Sequence, residues 1–464
     1  MAETWAISGV DLHLDLTGTR VRAALESALR DAVSGGRLRP DVRLPSSRAL
    51  AADLGIARNT VADAYSQLVA EGWLTAVQGS GTRVARRPDA TGRAARPQAG
   101  AAGPRRFDLG PGSPDVSAFP RSAWLTATRR ALGSASFRAL DYGDPRGLPQ
   151  LRVALADYVS RARGVQASPD RVVVCSGFTQ GFRLLCEVLG ARGARKLAIE
   201  RYIQPATTQA AVACGLRLAT VDIDDEGAAV DRLGTADAAL LTPAHQFPIG
   251  APLVARRRMI AIEWARASGG LIIEDDYDGE FRYDRHPLGA LQALAPHNIV
   301  YAGTASKTLA PGLRLGWLVL PTDLVDDVVA AKALADRNTS AIDQLTLAEF
   351  IVSGAYDRHI RRSRLVYRRR RDRLTAALGR HAPRVRISGI AAGLHALVEL
   401  PGGIPEEDVV ARANERGLYL QGLGDYAHGA HIHPPALVVG YAKPPERAFT
   451  GAVARLAAVL REVT

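Results

Sequence analysis

The chain reads as an α/β protein with a small winged helix-turn-helix head, and three observations lead there. From Phe107 to the C-terminus, short apolar runs alternate with helical segments, the pattern of a mostly parallel sheet with helices on both faces. From Asp11 to Ala85, helical periodicity gives way to two strand-like stretches around glycine. Between them, residues 86–106 (RRPDATGRAARPQAGAAGPRR) carry no apolar periodicity, as expected of a flexible, cationic linker. The expected domains are therefore 11–85, 86–106 and 107–464.

Size and composition agree with that division. At roughly 100–200 residues per domain, 464 residues make two to four. A net charge of +12 favours an acidic partner, nucleic acid first. Cys175, Cys186 and Cys214 have no CxxC spacing and leave one over. With no signal-peptide pattern, they read as reduced thiols of a cytoplasmic protein. No apolar run reaches the ~18 residues that a membrane helix needs, so no membrane partner is expected.

In the head, Val21, Leu25, Leu29 and Val33 share one helical face. Pro45, with Ser46 or Ser47 as N-cap, opens a second helix that runs to Leu54, and Gly55 makes the turn. A third helix starts at Arg58, Asn59 and Thr60, with Val61, Tyr65 and Leu68 facing inward. That is a helix-turn-helix whose third helix presents Arg, Asn and Thr to base edges. Trp73–Thr75 and Gln78–Val84 form a hairpin wing, with Gly79 and Gly81 at its turn. The full string RLPSSRALAADLGIARNTVADAYSQLVAEGWL, followed by GSGT, resembles the winged-helix domain of the GntR regulators. The resemblance implies double-stranded operator DNA as partner, contacted by Arg43, Ser46, Ser47, Arg48, Arg58, Asn59 and Thr60. It places Gly79, Ser80, Gly81 and Thr82 of the wing in a groove.

In the large domain the expected strands include Arg171–Cys175, Leu197–Ile199, Ala238–Leu241, Leu271–Ile273 and Ile299–Tyr301. Motif residues follow the ends of these strands, where α/β sheets place ligands. Lys307, flanked by Thr304 and Ser306 with Arg314 beyond, suits an aldehyde cofactor that carries a phosphate. The lysine amine forms the Schiff base, while the hydroxyls and the arginine take the phosphate. Asp275 would keep a pyridine nitrogen protonated and Tyr277 would bond the ring hydroxyl. GTASKT lacks the spacing of a nucleotide phosphate loop. Cys175–Gly181 follows a strand and opens a helix, so its amides can hold a phosphate.

The ordered motifs resemble fold-type I pyridoxal-phosphate aminotransferases. Joined to the head, through TPAHQFPIG, EDDYDGEFRY and GTASK, the whole chain resembles the MocR/GabR family of regulators. The resemblance implies pyridoxal 5'-phosphate on Lys307, held by Gly177, Phe178, Thr179, Thr304, Ser306 and Arg314. Asp275, Tyr277 and His245 would complete the contacts. Tyr142 would reach the phosphate of the neighbouring subunit in a head-to-tail homodimer. The effector would be a small amine or the cofactor itself.

Some clusters have plainer readings. Glu274, Asp275, Asp276, Asp278 and Glu280 need not converge on a metal, and His428, His431 and His433 lack a fourth ligand. No metal is expected. The basic run Arg361–Arg373 reads as a solvated or subunit-facing helix face.

Two positions depart from the aminotransferase pattern. Val438 occupies the place of the C-terminal arginine that grips an amino acid's α-carboxylate, and valine cannot make that bidentate contact. Gln204 stands where a tyrosine usually lies beside the cofactor ring, with Tyr202 nearby. Both weaken the case for an aminotransferase and leave the Lys307 machinery untouched.

Overall fold

The computed structural model describes residues 21–77, 81–86, 106–283, 288–429 and 434–463. Contacts divide the chain into two compact units, Met1–Ala102 and Gly103–Thr464.

The first unit contains α1 (Val21–Ser34), α2 (Ser47–Leu54), α3 (Arg58–Ala70) and the antiparallel pair β1 (Leu74–Val77) and β2 (Gly81–Val84). Ser46 is the N-cap of α2: its hydroxyl accepts from the Ala49 N–H at 3.2 Å, satisfying one of the helix's free donors. Gly55 closes α2 in the left-handed region at φ 67°. Leu25, Leu29, Leu50, Val61 and Leu68 bury the shared core, and Tyr65 donates to the Pro45 carbonyl at 3.2 Å. At the edges of the α1 stripe, Val21 is exposed and Val33 only partly covered.

The second unit is built on seven strands: β3 (Val172–Cys175), β4 (Lys196–Glu200), β5 (Arg217–Val221), β6 (Ala238–Leu241), β7 (Leu271–Asp275), β8 (Ile299–Thr304) and β9 (Gly316–Val319). Their order in the sheet is β3-β9-β8-β7-β6-β4-β5, and β9 runs antiparallel to both its neighbours. The other pairings are parallel. Both faces are apolar because successive side chains point to opposite sides. On β3, Val172 and Val174 join one core cluster while Val173 joins Phe182 and Leu185 in another. The six parallel strands therefore end on one edge of the sheet, the edge from which Gly177, Asp275 and Lys307 follow.

A smaller antiparallel sheet completes the unit: β10 (Arg386–Ser388), β11 (Ala396–Glu399), β12 (Gln421–Gly422) and β13 (Ala436–Val439), in the order β10-β11-β13-β12. The long helix Ala355–His381 and the last helix Glu446–Val463 bury Leu374, Leu378, Phe449 and Leu456 against it. Here one sequence expectation is corrected. The basic run does lie on a helix, yet Arg370 is fully buried rather than solvated. Its guanidinium pairs with Asp115 and Glu446, each at 2.9 Å, and donates to the Ala442 and Pro444 carbonyls. Buried charges persist only when paired and fully hydrogen-bonded, and Arg370 meets that condition.

Candidate functional site

A cavity of about 310 Å³ opens at the carboxyl edge of the large sheet. Phe178 and Thr179 enter it from the start of the helix Phe178–Ala191, Asp275 and Tyr277 from the end of β7, and Thr304, Ser306 and Lys307 from the end of β8. Arg314 completes the same wall.

The sequence builds a tight cradle at one end. Gly177 caps the helix at φ 88°, ψ 172°, a conformation essentially reserved for glycine. A Cβ there would sit 3.0–3.1 Å from the Arg314 guanidinium. Arg314 itself holds φ 51° and donates to the Ser176 carbonyl at 2.7 Å. Thr304 Oγ1 donates to Ser306 Oγ at 3.0 Å and accepts from the Ser306 N–H at 3.1 Å, fixing the turn before Lys307. Amides at a helix start, two hydroxyls and a guanidinium form the donor set that a phosphate dianion needs.

At the other end Lys307 Nζ donates to the Gly112 carbonyl at 2.5 Å. Burial lowers its pKa, with Asp275 and Asp278 pulling it back up. Burial raises the Asp275 carboxyl well above the usual carboxylate range, and Lys307 opposes that. A cation brought against Asp275 would hold it ionised. Tyr277 Oη lies 3.1 Å from His245 Nδ1, and that nitrogen lies 2.9 Å from Asp278 Oδ2. His245 thus stands behind Tyr277 and holds it, outside the cavity lining. Asp276 accepts from Nε and Nη2 of Arg163 at 2.6 and 3.0 Å and from the Tyr301 hydroxyl at 2.8 Å, which anchors the loop between Asp275 and Tyr277.

The acids flanking Asp275 go to separate partners, Asp276 to Arg163 among them. Glu274 accepts from the Leu291 and Gln292 amides, Asp278 faces His245, and Glu280 accepts from the Tyr158 hydroxyl. Among the described residues no cluster has the makings of a metal site. His428 is described; His431 and His433 lie outside the described residues.

Tyr142 lies away from this chain's cavity, exposed to 77%, with the Arg337 guanidinium 4.6 Å over its ring. Val438 is fully buried beside Leu397, Tyr202 and Tyr426, while its neighbours Leu437 and Val439 face the opposite core. Gln204 and Tyr202 both line the cavity. Gly112 and His395 are among the lining residues that escaped the sequence reading. The Gly112 backbone offered only a glycine-rich turn as a signal, and His395 offered a single histidine before a strand.

In the head, Arg48, Arg58 and Asn59 are exposed at the starts of α2 and α3, whereas Ser47 and Thr60 are partly covered. The Ser46 hydroxyl is engaged in its cap. The Arg43 side chain lies against Gly81 of the wing. Gly79 and Ser80 lie outside the described residues.

With this geometry in view, comparisons with known proteins carry the identification. The bacterial regulatory proteins of the gntR family match residues 22–84, and aminotransferase class I and II matches residues 107–402. An archaeal alanine:glyoxylate aminotransferase superposes with a TM-score of 0.71 at 24% identity, over 78% of this chain and 92% of its own. LysN, an alpha-aminoadipate aminotransferase from Thermus thermophilus solved with N-(5'-phosphopyridoxyl)-L-leucine, gives 0.68 at 25% over 77% and 92%. The fold and the cavity therefore define a pyridoxal-phosphate-dependent, DNA-binding transcription regulator with an aminotransferase-like body. The cofactor is pyridoxal 5'-phosphate, and the donor set at Gly177, Thr304, Ser306 and Arg314 fits its phosphate. Among curated proteins, this chain is 32% identical to the HTH-type pyridoxine biosynthesis transcriptional regulator PdxR of Corynebacterium glutamicum, over 89% of this chain and 90% of that protein. It is 30% identical to the probable rhizopine catabolism regulatory protein MocR of Rhizobium meliloti, over 90% and 89%. The chain belongs to the MocR/GabR family of GntR-type regulators. Among its described residues, no helix is long and apolar enough to cross a membrane.

Proposed function

We propose that the chain is a cytoplasmic, homodimeric regulator that holds pyridoxal phosphate covalently through Lys307 and reads the state of that site as operator affinity. The carrying observation is the convergence of Lys307, Asp275, Tyr277 and Arg314 on one cavity, in a chain that also bears a winged helix. When bound, the cofactor supplies an electrophilic aldehyde and an electron-withdrawing ring. The chain's own part is to bind and orient. Gly177, Phe178, Thr179, Thr304, Ser306 and Arg314 fix the phosphate, Asp275 balances the ring charge, and Tyr277, steadied by His245, meets the ring oxygen. Residues 11–85, 86–106 and 107–464 act as reader, linker and sensor.

The signal in this reading is pyridoxal phosphate itself, supported by the valine at 438 and by the similarity to PdxR. Exposed Leu125, Phe137 and Leu140, close in sequence to exposed Tyr142, support a second copy as the partner that covers this region. Head-to-tail pairing lets Tyr142 serve the partner's phosphate. Arg43, Ser47, Arg48, Arg58, Asn59, Thr60 and the wing take the DNA.

The test is an absorbance titration of cofactor-stripped protein with pyridoxal phosphate, with operator binding measured at each point and Lys307→Ala as control. A visible band that tracks a change in DNA affinity, and that borohydride traps on Lys307, is the expected result. A band with unchanged DNA binding overturns the cofactor as signal. The intact Lys307 machinery favours one rival, an aminotransferase with an accessory DNA-binding domain. Multiple turnovers with an amino donor and a keto acid would establish it.

A further inference from the structure

Tyr202, Ile203, Phe247 and Leu394 give part of the cavity an apolar wall, with Gln204 and His395 beside it; Thr207 and Thr242 also line the cavity, as does Glu200, whose carboxylate is taken by Thr242 and Gln246. The cations lining the cavity among the described residues are Lys307 and Arg314. Both are engaged, Lys307 on the Gly112 carbonyl and Arg314 on Ser176 beside the phosphate cradle. Behind the wall Val438 packs on Tyr202, Tyr426 and Phe247, so no charge backs it from β13.

His395 is held in one state. Its Nε2 lies 3.2 Å from the Pro248 carbonyl, which only accepts, so Nε2 carries the proton and Nδ1 keeps a lone pair. The ring is wedged 5.1 Å from Phe247 and 5.3 Å from His245. Burial, helped by His245, lowers its pKa to about 3, so it brings no positive charge at neutral pH.

We propose that His395 is a specificity-determining hydrogen-bond acceptor, and that the pocket takes small primary amines bearing a hydroxyl-type donor while excluding amino acids. The proposal rests on the cofactor reading above. An amino acid would bury its carboxylate on an apolar wall, beside a histidine lone pair and without a partner cation. A hydroxyl in the same place finds an acceptor. A pocket indifferent to amino acids keeps its cofactor load independent of the amino-acid pool, which a sensor of that cofactor requires.

The experiment uses full-length protein loaded with pyridoxal phosphate and titrated with ethanolamine, n-propylamine and L-serine. The change in the cofactor's visible absorbance is read, with concentrations expressed as free amine. Half-saturation is expected in the order ethanolamine, propylamine, serine, with at least a tenfold gap between the first and last. His395→Phe should erase the preference for ethanolamine over propylamine, and His395→Gln, which restores an acceptor, should recover part of it. Serine acting at or below the ethanolamine concentration overturns the proposal, as does a preference unmoved in both variants or the failure of every amine. A wild-type protein that shows no visible band fails the underlying cofactor reading instead.

Discussion

Gly177→Ala offers a sharp test of the phosphate cradle. Alanine at φ 88°, ψ 172° enters a region nearly closed to residues with a Cβ, at a cost of roughly 1–3 kcal/mol. The new Cβ also meets the Arg314 guanidinium at 3.0–3.1 Å, inside ordinary contact distance. The guanidinium must give way, and with it goes a charge-assisted hydrogen bond to phosphate worth about 1.5–3 kcal/mol. At about 1.4 kcal/mol per factor of ten, cofactor affinity should fall roughly ten- to a hundredfold. Equilibrium dialysis of pyridoxal phosphate against the stripped variant measures it. Gly193→Ala is the control, because φ is 100° there and nothing lies within 4 Å of the added Cβ. It carries backbone strain without touching Arg314, and its cofactor affinity should match the parent's. Wild-type affinity in Gly177→Ala, or an equal loss in Gly193→Ala, refutes the cradle argument.

Three further outcomes follow from the same structure. Burial lowers the Lys307 pKa from the ordinary 10.5, and only the free amine captures an aldehyde. The rate of cofactor capture should therefore rise with pH and level off above a midpoint below 10.5 in stopped-flow absorbance; a midpoint at or above that value contradicts the burial argument. Arg370→Ala strands buried Asp115 and takes the donor from four partners, so it should cost about 3–5 kcal/mol in chemical denaturation. A loss under about 1 kcal/mol would mean that the pairing is not stabilising. Arg58→Ala should weaken operator binding by about 1–3 kcal/mol and relax one base position if the arginine reads a base. If it meets a phosphate instead, the salt slope should fall by about one; no change in either quantity removes Arg58 from the interface.

What the sequence made legible was whatever depends on local order. Short apolar runs located the core strands, and the residues just past their ends had to share an edge because parallel strands all point the same way. That rule alone brings Asp275 and Lys307 together from β7 and β8, which are neighbours in register with Asp275 opposite Ala302. Strand β5 (Arg217–Val221) lacked the signal, since its side chains are mostly exposed or half-covered and only its parallel pairing with β4 makes it a strand.

Arg370 was unreadable for a different reason. Its helix looks uniformly basic, and the charges that bury it, Asp115 and Glu446, come from distant parts of the chain. His395 was invisible for the same cause: a histidine means little until Pro248, itself remote in sequence, fixes which nitrogen carries the proton. Val438 lies between these cases. Its identity was readable as a missing cation, but its meaning depends on strand alternation. Leu437 and Val439 serve the core of the smaller sheet, so residue 438 is the one that faces Tyr202 and Phe247 at the cavity wall. A charged residue at 438 would be buried among Leu397, Tyr202 and Tyr426, which offer it no counter-charge. The valine and the neutral histidine are thus one electrostatic choice, made at two paired strands, β13 and the entry to β11, beside the cofactor cavity.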